Sequence, residues 1–162
     1  QLKALILKKA GFERVRITAT GVGHLRNLTG LELLNLYGNN IDDSGLIHLE
    51  RMTRLRELNL SLLPITDRGL VHVGALRDLQ HLELPYSTGF AGPIISDDGL
   101  QPFQELANLE TLNLIGAGIT DAGVKRLAGL RKLTRLQLVN TSVSQSGIRE
   151  LKVALPRCQI MR

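Results

Sequence analysis

The sequence predicts an α/β solenoid: a curved stack of six short strand–turn–helix units, with a parallel sheet on the concave face and short helices on the convex face. Three observations predict it. Leucine supplies 33 of the 162 residues, while aromatic residues make up 3% and tryptophan is absent, so one small packing unit is used many times. The pattern Leu-x-x-Leu-x-Leu returns at Leu2/Leu5/Leu7, Leu31/Leu34/Leu36, Leu55/Leu58/Leu60, Leu79/Leu82/Leu84, Leu109/Leu112/Leu114 and Leu133/Leu136/Leu138, in steps of 29, 24, 24, 30 and 24 residues. A second motif keeps phase with the first. It reads Ile17-Thr-Ala-Thr-Gly21-Val22, Ile41-Asp-Asp-Ser-Gly45-Leu46, Ile65-Thr-Asp-Arg-Gly69-Leu70, Ile95-Ser-Asp-Asp-Gly99-Leu100, Ile119-Thr-Asp-Ala-Gly123-Val124 and Val143-Ser-Gln-Ser-Gly147-Ile148.

Within each unit the Leu-x-Leu pair alternates as a half-buried strand does. The residues after the glycine recur three apart, as in Leu46/Leu49/Met52, Leu70/Val73/Leu76 and Val124/Leu127/Leu130, which is a helical stripe. Asp42, Thr66, Ser96, Thr120 and Ser144 stand where a helix N-cap is required. The aspartate that usually follows falls in the first turn, where the helix dipole favours negative charge. At the far end Pro156 stops the last helix, and Cys158 and Ile160 then alternate as a closing strand near residues 157–162, with Cys158 a small buried hydrophobe. The near end has no polar cap: Leu2, Leu5 and Ile6 begin at once. An upstream segment, an upstream domain or a second copy packing there would cover them.

Units of this kind bury their apolar side only by stacking. Strands stack ~4.8 Å apart, whereas helices need ~8–10 Å. The mismatch curves the stack around the sheet. The whole chain, residues 1–162, is therefore read as one domain.

These residues resemble leucine-rich repeats, in particular the ribonuclease-inhibitor-like subgroup with an Ile-Thr-Asp-x-Gly-Leu signature. The 24-residue length and the ending Ala154-Leu-Pro156-Arg-Cys158-Gln-Ile160 are similar to bacterial, planctomycete-type repeat proteins. The resemblance covers essentially the whole chain. It implies a right-handed horseshoe and a non-catalytic scaffold that binds a protein or peptide. One departure stands out. The asparagine or cysteine usual at the ninth repeat position is Asn39 in one unit and Ala10, Leu63, Ser87, Ala117 or Thr141 elsewhere, so no asparagine ladder is expected.

On such a solenoid repeat positions 1, 4 and 6 point inward and positions 3, 5, 7 and 8 face the concavity. The candidate partner-binding residues are Asn35, Tyr37, Glu57, Asn59, His81, Glu83, Tyr86, Phe90, Asn113, Arg135 and Gln137. Ile6, Leu33 and Thr111 lie in the same columns, and Ser61, Leu62, Ile115, Val139 and Asn140 at positions 7 and 8. A solvated sheet face would also look like this. Unit 1 is longer by five residues around Ala10–Arg16, and unit 4 by six around Pro85–Ile94. The second insertion holds Tyr86 and Phe90 among glycines and prolines. Phe90 and Ile94 either fold back as a local lid or recognise a partner.

Catalytic and metal chemistry find little support. His24, His48 and His72 share one repeat position, yet successive helices ~8–10 Å apart hold them too far apart for one zinc ion, whose ligands sit ~2.0–2.1 Å from it. The pairs Asp42/Asp43 and Asp97/Asp98 are in phase with helix starts, so capping explains them better than calcium. Cys158 is the single cysteine and lies in the terminal strand, remote from any histidine. There is no Gly-x-Ser-x-Gly elbow and no phosphate-cradling loop, so neither an enzyme nor a cofactor is expected.

The net charge of +5 divides into +5 over residues 1–30, −7 over 31–120 and +7 over 121–162. A nucleic-acid binder would want one continuous basic stripe, so no nucleic acid is expected. The nine basic residues from Lys125 to Arg162 read as a solvated face or a secondary anionic contact. No apolar run approaches the ~20 residues of a membrane span, and no signal peptide is in view, so a soluble chain of unknown compartment is expected.

Overall fold

A computed structural model of the chain describes residues 2–7, 16–86 and 95–162. Seven three-residue strands form one sheet: β1 (Ala4–Ile6), β2 (Leu33–Asn35), β3 (Glu57–Asn59), β4 (His81–Glu83), β5 (Thr111–Asn113), β6 (Arg135–Gln137) and β7 (Gln159–Met161). All neighbours are parallel and the spatial order follows the chain order. Equivalent residues pair throughout, as in Leu34↔Leu58↔Leu82↔Leu112↔Leu136↔Ile160. The longer units 1 and 4 keep this register, with Ala4 opposite Leu33 and His81 opposite Thr111. Their extra residues are therefore absorbed after the strand.

The predicted outer helices are α1 (Ala19–Gly23), α2 (Asp43–Leu46), α3 (Asp67–Val73), α4 (Asp121–Arg126) and α5 (Gln145–Ala154). Unit 4 differs: Asp98–Glu105 is a 3₁₀ helix with Pro102 inside it. Proline has no N–H to give an α-helical turn, and this one packs against the α3 C-cap Gly74. Short 3₁₀ turns at Ile47–Leu49 and Leu127–Gly129 extend α2 and α4.

Leucine columns fill the space between sheet and helices, and from Leu31 onward repeat positions 1, 4 and 6 are almost fully buried. The first layer is the exception. Leu2, at position 1, is 50% exposed because no described layer covers the outer edge of β1, whereas Ile6, at position 5, is 60% exposed on the concave face. At the other end Cys158 is buried against the core, and burial pushes its thiol above the ordinary range.

The conserved phase of the helix starts has a physical basis beyond capping. Thr66 donates its N–H to Asp43 Oδ1 (2.7 Å) and its hydroxyl to Asp43 Oδ2 (2.6 Å), while its oxygen accepts from the Arg68 N–H (3.3 Å). The same staple joins Ser96 to Asp67, Thr120 to Asp97 and Ser144 to Asp121. Each first-turn aspartate thus ties its own unit to the cap of the next. The glycine three residues after each cap leaves room for that carboxylate. A Cβ at Gly69, Gly99, Gly123 or Gly147 would come closer than 3.0 Å to the preceding unit's Asp Oδ1.

Candidate binding face

The sheet places two columns of side chains on the concave face. One runs Ala4, Leu33, Glu57, His81, Thr111, Arg135; the other runs Ile6, Asn35, Asn59, Glu83, Asn113, Gln137. The structure brings Asn35, Glu57, Asn59, His81 and Glu83 together around one open concavity of about 210 Å³ on strands β2–β4, floored in part by Ile6 and Leu33. Arg135 and Gln137 lie further along the same face on β6.

The amide column has a structural duty that its side chains do not advertise. Asn35 Oδ1 accepts the Tyr37 N–H (3.0 Å), Asn59 Oδ1 the Ser61 N–H (2.9 Å) and Asn113 Oδ1 the Ile115 N–H (3.0 Å). Each asparagine turns the chain out of its strand. The oxygen is thereby committed, and the amide N–H donors are what the face has to offer. Asn113 spends one on Glu83 Oε2 (2.8 Å). His81 Nδ1 lies 2.9 Å from Thr111 Oγ1, so that ring is tied to the next strand.

Position 8 carries a backbone constraint. Leu62 and Asn140 have φ of 58° and 57°, and Gly38 and Gly116 have φ of 72° and 68°. In these four units position 8 is a left-handed turn residue, which suits Gly and Asn and strains Leu62. Ser61, at position 7, is buried. Tyr37 and Tyr86 are neighbours although they lie two units apart in the sequence. Burial comes first in raising the Tyr86 phenol above its ordinary value, and the neighbouring Tyr37, whose hydroxyl shares a hydrogen bond with it, adds to the shift. Phe90, Ile94 and most of both insertions lie outside the described residues.

Sequence reasoning passed over Ile6 and Leu33 as site residues. The signal was their membership of the two concave columns. Asn39, the one asparagine at the ninth repeat position, is buried. Its Nδ2 donates to the Leu7 and Leu36 carbonyls (2.6 and 3.0 Å), and its Oδ1 accepts the Ile17 N–H (3.0 Å). It thus closes the first unit onto the second.

The convex face is largely engaged in contacts between units. His72 Nδ1 lies 2.6 Å from Glu50 Oε1, and His48 sits against Gly23. Within the basic C-terminal set, Arg126 contacts Asp98 and Gln101, Lys125 pairs with Glu150 (3.2 Å), Lys132 reaches Asn108 and Arg131 donates to the Ala154 carbonyl. Among the described residues no three His, Cys, Asp or Glu converge, and no helix is long and apolar enough to cross a membrane.

A family model described as leucine-rich repeat matches residues 27–49 and 105–128. No curated protein sequence matches the chain. Among solved structures the chain is similar to an internalin of Listeria monocytogenes, inlF, at 20% identity and a TM-score of 0.70, covering 98% of this chain and 47% of that one. It is similar to a leucine-rich repeat protein of Leptospira interrogans at 21% identity and TM-score 0.65, covering 99% and 37%. Internalin C2 of Listeria monocytogenes gives 24% identity and TM-score 0.62, covering 97% and 69%. The chain thus spans less than half the length of the first two, and the likeness is one of fold. Repeat spacing, the two matched segments and the stacked parallel sheet agree: residues 27–49 and 105–128 match leucine-rich repeats, and the chain folds as a leucine-rich repeat solenoid.

Proposed function

We propose that the chain is a non-catalytic scaffold that holds a protein or peptide against its concave sheet face. One observation carries this reading: five polar candidates from three successive strands line a single open concavity with an aliphatic floor. Solenoids of this kind use their extended concave surface for binding. The proposed contact residues are Asn35, Glu57, Asn59, His81 and Glu83, with Tyr37, Tyr86, Asn113, Arg135 and Gln137 around them. We include the unit-4 insertion and Phe90 on sequence grounds, an aromatic among Gly and Pro beside Tyr86. The raised, buried thiol of Cys158 suits packing rather than nucleophilic work.

The test compares capture from an extract of the source cells by three forms of verified fold: the intact chain, a concave variant (Glu57→Ala/His81→Ala/Arg135→Ala) and a convex variant (Arg149→Ala/Lys152→Ala). A protein lost from the concave variant and kept by the convex one supports the reading. The reverse pattern moves the site to the outer face.

A second reading, assembly through the N-terminal layer, is favoured by the exposed Leu2, just before the edge strand β1, and Ile6 at its end. Self-association by light scattering that disappears in Leu2→Asp with the fold retained would establish it.

A further inference from the structure

Resting on the concave-face reading, we infer that the partner presents an extended segment with a lysine or arginine about three residues from an aliphatic one. The cation seats between Glu57 and Glu83, and the aliphatic side chain lies on Ile6 and Leu33. The argument starts from charge. Glu57 pairs in register with His81, and Glu83 with Asn59, so the two glutamates are diagonal neighbours on one face of β3 and β4. Such neighbours have Cα atoms roughly 7–8 Å apart, a separation that one ammonium or guanidinium can bridge.

Among the described residues neither carboxylate has a cationic partner. Glu57 makes no ion pair or hydrogen bond there, and Glu83 receives only the Asn113 amide. The nearby Glu32 is different: Lys3 hydrogen-bonds it and holds its carboxyl below the usual range. The asparagines are poorer acceptors for an incoming cation than the glutamates, being neutral and with one Oδ1 lone pair of Asn35 and Asn59 already holding their own turns. Their amide N–H groups are donors suited to the carbonyls of an extended peptide. The concavity therefore sorts its ligand: main-chain carbonyls along the asparagine column, a cation at the glutamate pair.

Spacing completes the motif. From the Ile6/Leu33 shelf on β1 and β2 to the glutamates on β3 and β4 is two strand steps, ~10 Å, or about three residues of extended chain. Arg135 lies two strands beyond Glu83, on β6. It disfavours a second cation there and fits an acidic residue about three positions past the basic one.

The experiment probes a positional-scanning library of immobilised nine-residue peptides with the full chain, with Glu57→Gln/Glu83→Gln and with Glu57→Lys/Glu83→Lys, all of verified fold. The glutamines are isosteric, so the Asn113 contact and the turns are retained. The expected result is enrichment of Lys or Arg about three positions from Leu, Ile or Val. Best peptides should bind about tenfold more weakly to the Gln form and weaken with salt. The Lys form should select Asp or Glu at the same position. Enrichment with no basic preference, lost in a Leu33→Asp variant, would overturn this inference and leave the concave-face reading standing. A basic preference that survives in the Lys form would place the cation elsewhere and overturn it too. No enrichment by the intact chain would count against both.

Discussion

Asp121, in the first turn of α4, accepts both the backbone N–H (2.7 Å) and the hydroxyl (2.5 Å) of Ser144, which caps α5 one unit further along. Ser144 Oγ in turn accepts the Gly147 N–H (3.1 Å). One carboxylate therefore orders two helices, and its counterparts Asp97, Asp67 and Asp43 repeat the arrangement down the stack. The binding face depends on this, because strands that carry one column of contacts each must stay in register. Ser144→Ala removes the cap and the hydroxyl half of the staple, leaving the backbone N–H bond to Asp121, and should cost about 1 kcal/mol in urea unfolding, loosening α5 and β7 first by hydrogen exchange.

The same carboxylate gives an acid dependence. Ser144 hydrogen bonds hold the Asp121 carboxyl below the usual range, with Lys125 and Arg162 adding smaller attraction. A folded-state value below the unfolded one means that the unfolded chain takes up the proton more readily. The stabilisation is present above the unfolded value near pH 4 and is lost as pH falls through the folded value. The urea midpoint of the natural chain should therefore exceed that of Asp121→Asn at neutral pH, with the gap closing below about pH 4. A gap that widened in acid would contradict the staple.

Glycine at the staple is a matter of space. Alanine normally favours a helix over glycine by up to ~1 kcal/mol. At Gly123 the added Cβ meets Asp97 Oδ1, whereas at Gly129 nothing lies within 4 Å. Gly123→Ala should destabilise by about 1–3 kcal/mol and Gly129→Ala should be neutral or mildly stabilising. In a double-mutant cycle, Asp97→Ala should relieve part of the Gly123→Ala penalty, the remaining close contact being Ile119 Cγ2 at 2.8 Å.

The buried amide of Asn39 predicts a local lesion. Asn39→Leu leaves the Leu7 and Leu36 carbonyls and the Ile17 N–H without their present partner. The expected cost is about 1–3 kcal/mol, read as faster exchange at β1 and α1 with the β4–β7 end unchanged.

Core position decides the size of a leucine truncation. Leu82→Ala, in the buried column between β3 and β5, should cost 2–5 kcal/mol as order of magnitude, roughly the range for a cavity in a closed core. Ile6→Ala, at a side chain 60% exposed, should be close to neutral.

The leucine columns, the caps and the closing strand were legible in the sequence because each follows from residues a few places apart. The staple was not. Asp43 and Thr66 are 23 residues apart, and their contact exists only once units are stacked, so the aspartate read as a dipole partner. Asn35, Asn59 and Asn113 read as ligand-facing amides, yet each gives its oxygen to the N–H two residues on, a local bond that competes for the same side chain. Gly38, Gly116 and Asn140 hinted at a left-handed turn at position 8, and Leu62 hid the pattern. Tyr37 and Tyr86 lie two units apart, and their proximity exists only once the units are stacked.

The central claim is that the concave face is the working face. Photo-crosslinking tests it most directly: benzoylphenylalanine placed at Glu57 on β3, or at Arg149 on the outer helix α5, in the full protein in its own cells. The account predicts a discrete adduct from position 57 that Glu83→Lys abolishes, and none from position 149. An adduct from position 149 with none from position 57 would contradict it.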